Sequence, residues 1–393
     1  MAIKRTTLIA YSLFLLLLTM SVCNSAQSVL LNDYVTYFSL QSSSQGLIGT
    51  SQSCGSLVMI VVSGLFLRWR GKTFLIGLCA LLLFFAMLLM GIAPPITVFC
   101  FAYLILGFSF TTADAMSCAL FVDYYGDKSA KNNSLLRSSL GLGGLIGPLF
   151  ISKLIEKGMT WRFVLLILSG IALFSFFVFV LCAREQLYVP SNEHDRSLTM
   201  NFAIVKRFFL DPLNKWFVLC SLLLGVQGTG TVWIVRFMTN YLHAPQTGVM
   251  AYSLFWFNVA IARIILPFFT LSKNRSIIIG AMLSGILMTI GIISNNAVMF
   301  AFLLSAGGFS LGTVQPYLYD MCGHNSISNN GVGSSSASML MLLFGNIGAS
   351  FTLPLIGWVT EDVGPTAGMM VMSLSMILVA CFAIPILLQI KRH

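Results

Sequence analysis

The sequence predicts an all-α membrane protein with twelve transmembrane helices in two six-helix bundles and both termini cytoplasmic. Three observations lead there. Of 393 residues, 57% are hydrophobic and only 9% charged, with a mean hydropathy of +0.90, whereas a water-soluble domain carries roughly 25% charged residues. The apolar residues fall in blocks of about 20, the length a helix needs to cross roughly 30 Å of hydrocarbon. The alternating segments of about 10 residues that mark a transmembrane β-barrel do not occur. Finally, lysine and arginine gather on one side of those blocks, as the positive-inside rule requires.

Taken in order, the blocks cover residues 8–32, 46–67, 73–92, 96–123, 135–156, 162–183, 216–241, 248–270, 276–293, 297–320, 332–357 and 365–388. The first, with Lys4 and Arg5 ahead of an apolar run, has the outline of a signal peptide; eleven further blocks make it span 1. With the N-terminus inside, only Lys153, Lys157 and Arg162 fall on the outer side, Arg236 and Arg263 lie within spans, and the remaining 17 of the 22 Lys and Arg residues lie inside. One miscounted span would invert every later loop and scramble that ratio.

The longest polar stretch, residues 184–215, holds Arg184, Glu185, Glu193, His194, Asp195, Arg196, Lys206 and Arg207. It divides the chain into an N-terminal bundle, 1–183, and a C-terminal bundle, 216–393, joined by a cytoplasmic linker. Two helical halves so joined are the arrangement in which solute binds between them near mid-membrane and access alternates by rocking.

Composition also excludes functions. The net charge of +10 sits at span ends rather than on a soluble module, so it orients the protein in the bilayer and implies no nucleic acid. The nine cysteines, without a CxxC pair, read as small hydrophobes and not as metal ligands. The sequence has no P-loop, no HExxH and no nucleophile elbow, so no enzyme and no cofactor are expected, and the energy source is an ion gradient, expected to be protons.

Motifs sharpen the reading. The segment 63–73, Ser-Gly-Leu-Phe-Leu-Arg-Trp-Arg-Gly-Lys-Thr, resembles the major facilitator loop between spans 2 and 3, G-x-L-A-D-R-x-G-R-K. Gly64, Gly71 and Lys72 match, while Arg68 stands where that pattern has Asp. The resemblance implies a gating loop that works through charge pairs, here without the usual acid. Phe38-Ser39-Leu40 with Gln45-Gly46-Leu47-Ile48, the run Gly141–Pro148, Thr160-Trp161-Arg162-Phe163, and Phe255-Trp256-Phe257 followed by Ala262-Arg263 are similar to fucose-permease-like sugar transporters. In span 7, Gln227 stands where that subfamily usually carries Glu. The glycines of span 5 also suit close helix packing around Pro148, and a similar run marks proton-coupled drug exporters.

Charges within the bilayer cost about 2.5–3.5 kcal/mol on insertion scales and are functional candidates by default. Asp114, in span 4, falls close to the carboxylate that the resembled transporters use for proton coupling. A carboxyl in low dielectric favours its neutral form and so can take up and release a proton. Arg236 and Arg263 each offer a planar donor fork for an acidic or hydroxylated solute; both also lie close enough to span ends to snorkel. Asp33, Asp123 and Asp320 read as interfacial caps. Span 1 lacks the subfamily's Asp and offers Asn24, Gln27 and Ser28 instead. With Gln227, Trp233, Trp256, Asn258, Gln315, Tyr319 and Asn346, these supply amides, hydroxyls and aromatic faces suited to a polar organic solute, or to helix–helix hydrogen bonding.

The expectation is therefore a monomeric, multi-pass secondary transporter of the cytoplasmic membrane that imports a small polar solute, a sugar or sugar derivative, with protons. The alternatives are a proton-coupled exporter of drugs or metabolites and a non-transporting membrane sensor or scaffold.

Overall fold

Apolar blocks of this length can satisfy their backbone in hydrocarbon only as helices or closed barrels, and helices they are. A computed structural model of the chain describes residues 2–40, 46–58, 71–92, 95–125, 129–185, 202–266, 272–330 and 334–390. Their regular structure is α-helical throughout, apart from a single 3₁₀ residue.

The helices are α1 (Ala2–Val29), α2 (Leu31–Phe38), α3 (46–58), α4 (Lys72–Gly91), α5 (Ile96–Tyr125), α6 (Ser129–Glu156), α7 (Trp161–Ala183), α8 (Phe202–Leu210), α9 (Pro212–Gly230), α10 (Trp233–Asn240), α11 (Pro245–Ile265), α12 (Lys273–Ile293), α13 (Ala297–Leu311), α14 (Val314–Asn330), α15 (Ser334–Asp362) and α16 (Pro365–Ile390). Among the described residues, ten spans are long and apolar enough to cross a membrane, or eleven if the bent pair α9–α10 is one span. Predicted span 2 is represented by α3; residues 59–67 lie outside the described residues. The lipid-facing side is explicit on α7, where Phe174, Phe177 and Leu181 recur at helical spacing and are exposed.

The chain forms two compact units, Met1–Ser39 with Ser51–Thr199, and Leu40–Thr50 with Met200–His393. Each repeats one pairing scheme. In the first unit α1 packs on α6 and α7, and α4 packs on α5 and α7. In the second, α9 packs on α15 and α16, and α12 packs on α13 and α16. Spans 2 and 4 (α3 and α5) meet where a Cβ on Gly107 would lie 1.8 Å from the Gln52 carbonyl oxygen, so only glycine lets the backbones approach. Spans 8 and 10 (α11 and α13) meet in the same way, Gly308 against the Phe255 carbonyl.

The span 5 glycines belong to this scheme: Gly143 lies against Leu18 and Ser21, and Gly147 against Val22 and Ser25. Span 11 repeats them, with Gly345 beside Ser221 and Gly348 against the Leu222 carbonyl. Interior prolines follow in both helices, Pro148 in α6 and Pro354 in α15.

The first helix of each unit is interrupted near one end. α1 gives way to α2 at Leu30, and α9 bends by 45° into α10 at Thr231–Val232. Two glycines, Gly228 and Gly230, precede the second break, and Thr231 turns its hydroxyl back to the Gly228 carbonyl at 2.7 Å, a local bond that competes with helix continuation. Each short helix leads to a non-glycine residue with positive φ, Ser39 at 50° and His243 at 52°.

Three details differ from the sequence expectation. The end of the 184–215 linker is helical: α8 carries Phe208 fully buried and Phe209 against Phe344, and α9 begins at Pro212 behind an Asp211 cap that accepts from Leu213 N at 2.8 Å. Span 10 is divided at Gly312–Thr313 and runs on as α14. Asp320, expected as a cap, instead pairs with Lys273 and with His324 one turn away; Asp33 lies inside the first turn of α2, and the Asp123 side chain is outside the described residues.

Candidate functional site

Asp114 lies on α5, eleven residues before that helix ends at Tyr125. Its partner comes from α6: Arg137 Nη2 donates to Asp114 Oδ2 at 3.0 Å. Cys118, one turn along α5, joins the pair, accepting from Arg137 Nε at 3.3 Å and pointing its thiol at Asp114 Oδ1 at 3.8 Å. The acid is 22% and the arginine 38% exposed.

A polar seam lies in the same unit. Gln52 donates its amide to Asn24 Oδ1, and Thr111 donates to Ser56 Oγ at 2.8 Å. Ser28 is buried on α1. Gln27 is 4% exposed, and its Nε2 has no hydrogen-bond partner among the described residues. In the second unit Gln227 is 3% exposed and its Nε2 likewise has no partner among the described residues. The two residues correspond: each lies on the first span of its unit, three or four residues before the break. A buried donor left unpaired costs about 1–3 kcal/mol, and buried polar groups are nearly always satisfied. Among the described residues, seven further buried side-chain polar atoms, Trp256 Nε1 among them, are likewise without a hydrogen-bond partner.

The other predicted residues of the second unit divide between cross-helix bonds and more local contacts. Asn258 on α11 donates to Ser305 Oγ at 2.6 Å. Arg263 donates to the Gly312 carbonyl at 3.3 Å and to Gln315 Oε1 at 3.4 Å, tying α11 across the division of span 10. Tyr319 shares a 3.3 Å hydroxyl contact with Ser221. Asn346 uses its donor on its own helix, at Leu342 O. Trp256 packs edge-on against Phe255. Arg236 lies past the break on α10, its guanidinium 5.6 Å from the Trp233 ring centroid. At about 1.5 Å of rise per residue, Arg263 lies near the far end of α11 from α10, so the two arginines serve different levels of the unit.

Of the predicted gating loop, Gly64 and Arg68 lie outside the described residues. Gly71 precedes α4 with φ 82°, a conformation that suits glycine, and Lys72 opens that helix as a buried residue.

The family model of the Major Facilitator Superfamily matches residues 13–339. The chain belongs to that superfamily. No curated protein matches its sequence. Among solved structures, it is similar to a bacterial homologue of the human lysosomal transporter Spinster in an inward-facing, unoccupied conformation. That likeness has a TM-score of 0.72 at 14% identity and covers 97% of this chain and 95% of that one. It is also similar to the E. coli fucose:proton symporter, with a TM-score of 0.67 at 14% identity over 95% and 97% of the two chains. These likenesses establish the superfamily fold. The residue that sequence reasoning missed within it is Arg137, counted among the inside charges. The available signal was its position two residues into the apolar stretch Leu135–Glu156.

Proposed function

We propose that this superfamily transporter carries a small polar solute, a sugar or sugar derivative, together with protons, by alternating access in the cytoplasmic membrane. The observation that carries the solute class is the pair of corresponding buried amides, Gln27 and Gln227, whose free N–H donors suit the hydroxyl and ether oxygens of a carbohydrate. The part-exposed Asp114–Arg137 pair supplies the proton step: protonation of the acid ends the ion pair, and deprotonation restores it. One structural neighbour is a fucose:proton symporter, a solute and ion of the same classes. We further propose twelve crossings with cytoplasmic termini, two halves joined through the 184–215 segment, and a monomeric working unit.

Export of drugs or metabolites drew its support from the span 5 glycines. Those glycines contact α1 and recur in span 11 against α9, which accounts for them as helix packing. Counterflow in proteoliposomes across neutral sugars, sugar acids, sugar phosphates and lipophilic cations tests the reading. Exchange of a neutral sugar is expected; exchange of lipophilic cations alone would replace import of a polar solute with export.

A further inference from the structure

The junction between α8 and α9 is held by a polar clamp that the transport reading does not use. Asp211, the one residue between the two helices, has extended backbone and caps α9, so the chain turns there instead of continuing one helix. Its Oδ2 accepts from Asn325 Nδ2 of α14 at 2.7 Å. Asn325 also donates to Asn214 Oδ1 at 3.1 Å, and the fully buried Asn214 donates to the Phe208 carbonyl at 2.7 Å. Carbonyls in the last turn of a helix lack a partner within it, and here the next helix supplies one. Phe208, fully buried, and Phe209, against Phe344 of α15, then seat one side of α8 on the bundle.

The other side is left basic. At 3.6 residues per turn, Lys206 and Leu210 point away from Phe208, and Arg207 flanks them. Lys206 and Arg207 are exposed, Leu210 is 70% exposed, and Lys215 in the first turn of α9 is exposed as well. Among the described residues, none of the three cations is in an ion pair. Asp211 is the only acid in residues 202–219, and its two oxygens are taken by Leu213 N and Asn325. The level in the membrane follows from α9, which opens a span. Trp216, packed on Phe382 of α16 with ring centroids 5.7 Å apart, is of the residue type that gathers at the headgroup level. A short helix held there with cations around an exposed leucine has the make-up of an interfacial helix. A soluble acidic partner would have no use for a leucine placed at the start of a span.

We propose that the exposed side of α8, together with Lys215, is a docking surface for anionic phospholipid headgroups. Lys206, Arg207 and Lys215 take the phosphates, and Leu210 enters the boundary with the acyl chains. The clamp sets the cations in place before lipid arrives, so the surface selects by charge. It stands whether or not the transported solute is a sugar.

The test uses the full-length protein in nanodiscs that contain photoactivatable phosphatidylglycerol or, in parallel, photoactivatable phosphatidylcholine. Labelling of residues 202–219 is read by peptide mass spectrometry. Phosphatidylglycerol is expected to label this segment more strongly at equal mole fraction, by about fivefold for each cation engaged. Lys206→Gln with Arg207→Gln is expected to lower that labelling by about 10- to 30-fold. Lys153→Gln with Lys157→Gln, at the end of α6, is expected to leave it unchanged. Leu210→Glu places a like charge against the phosphates and is expected to lower labelling too, which covers failure of the double variant to fold. Equal labelling by the two lipids, or labelling unchanged in both α8 variants, overturns the surface. So does an equal fall in the α6 control, and displacement of the lipid by polyglutamate would assign this side of α8 to a soluble acidic partner instead.

Discussion

The two units share one plan and differ in what they place inside it. Both pair their first span with the fifth and sixth, and their third with the fourth and sixth. Both bring the second and fourth together through glycine, and both interrupt the first span beyond a buried glutamine whose Nε2 has no partner among the described residues. Against that common background, the first unit carries an acid and a base in hydrogen-bond contact, Asp114 and Arg137. The second has an ion pair of its own, Lys273 with Asp320, beside the cross-helix bonds of Asn258 with Ser305, Arg263 with Gln315, and Tyr319 with Ser221. The pairing scheme and the glycine contacts build the helix frame of both units. On the reading proposed above, the Asp114–Arg137 pair of the first unit would handle the proton.

The comparison is broken most severely at the shared glycines. Gly107→Leu forces a side chain into the space of the Gln52 carbonyl, whose oxygen would lie 1.8 Å from the first carbon of that side chain. Overpacking typically costs about 1–3 kcal/mol, and more when backbone must move. This variant is expected to lose folded protein in detergent size-exclusion profiles, and Gly348→Leu in the second unit is expected to do the same. A monodisperse peak for both would show that the glycine contacts do not set the helix spacing.

The unshared pair gives the next largest effect. Asp114→Asn is expected to abolish gradient-driven accumulation while leaving counterflow exchange. Arg137→Gln should reduce accumulation comparably, and the double variant should be no worse than either single, because residues acting as one unit are non-additive. Additive losses in the accumulation assay would separate the two residues.

Smaller and opposite in sign are the effects at the paired amides. Gln27→Leu and Gln227→Leu each remove a hydrogen bond to the solute worth about 0.5–1.5 kcal/mol, a weakening of about 2- to 12-fold in half-saturating concentration. Each also removes an unpaired buried donor, so the melting temperature of the solute-free protein is expected to rise. Weaker binding with a lower melting temperature would mark these residues as structural.

The smallest effect belongs to glycines with open space. A Cβ at Gly170 or Gly228 meets nothing within 4 Å, and Ala exceeds Gly in helix propensity by about 1 kcal/mol. Gly170→Ala is expected to stabilise slightly. Gly228→Ala sharpens the comparison because it sits at the α9–α10 break: a loss of transport with normal folding would assign the bend a role in the cycle.

The helical membrane fold was legible in the sequence because hydrocarbon leaves the backbone so few options; block length and basic-residue placement sufficed. The breaks were harder to read, since a residue such as Leu30 or Val232 is ordinary in an apolar run and the interruption depends on tertiary neighbours. The helix α8 lies in a stretch whose charges, Lys206 and Arg207, advertise a linker, while Phe208 and Phe209 do the packing. Asp114 stood out as a lone acid among apolar residues. Arg137 did not, because a cation at a span end satisfies the positive-inside rule before any partner is considered. The correspondence of Gln27 with Gln227 required the two units to be compared helix by helix, and the absence of a partner for each is a property of packing alone.

The most direct test is a pH recording in lightly buffered proteoliposomes to which a counterflow-active sugar is added. The account predicts that the external solution turns alkaline as the sugar enters, and that Asp114→Asn abolishes this signal while labelled exchange continues. Entry of labelled sugar with no pH change in the unaltered protein would contradict it.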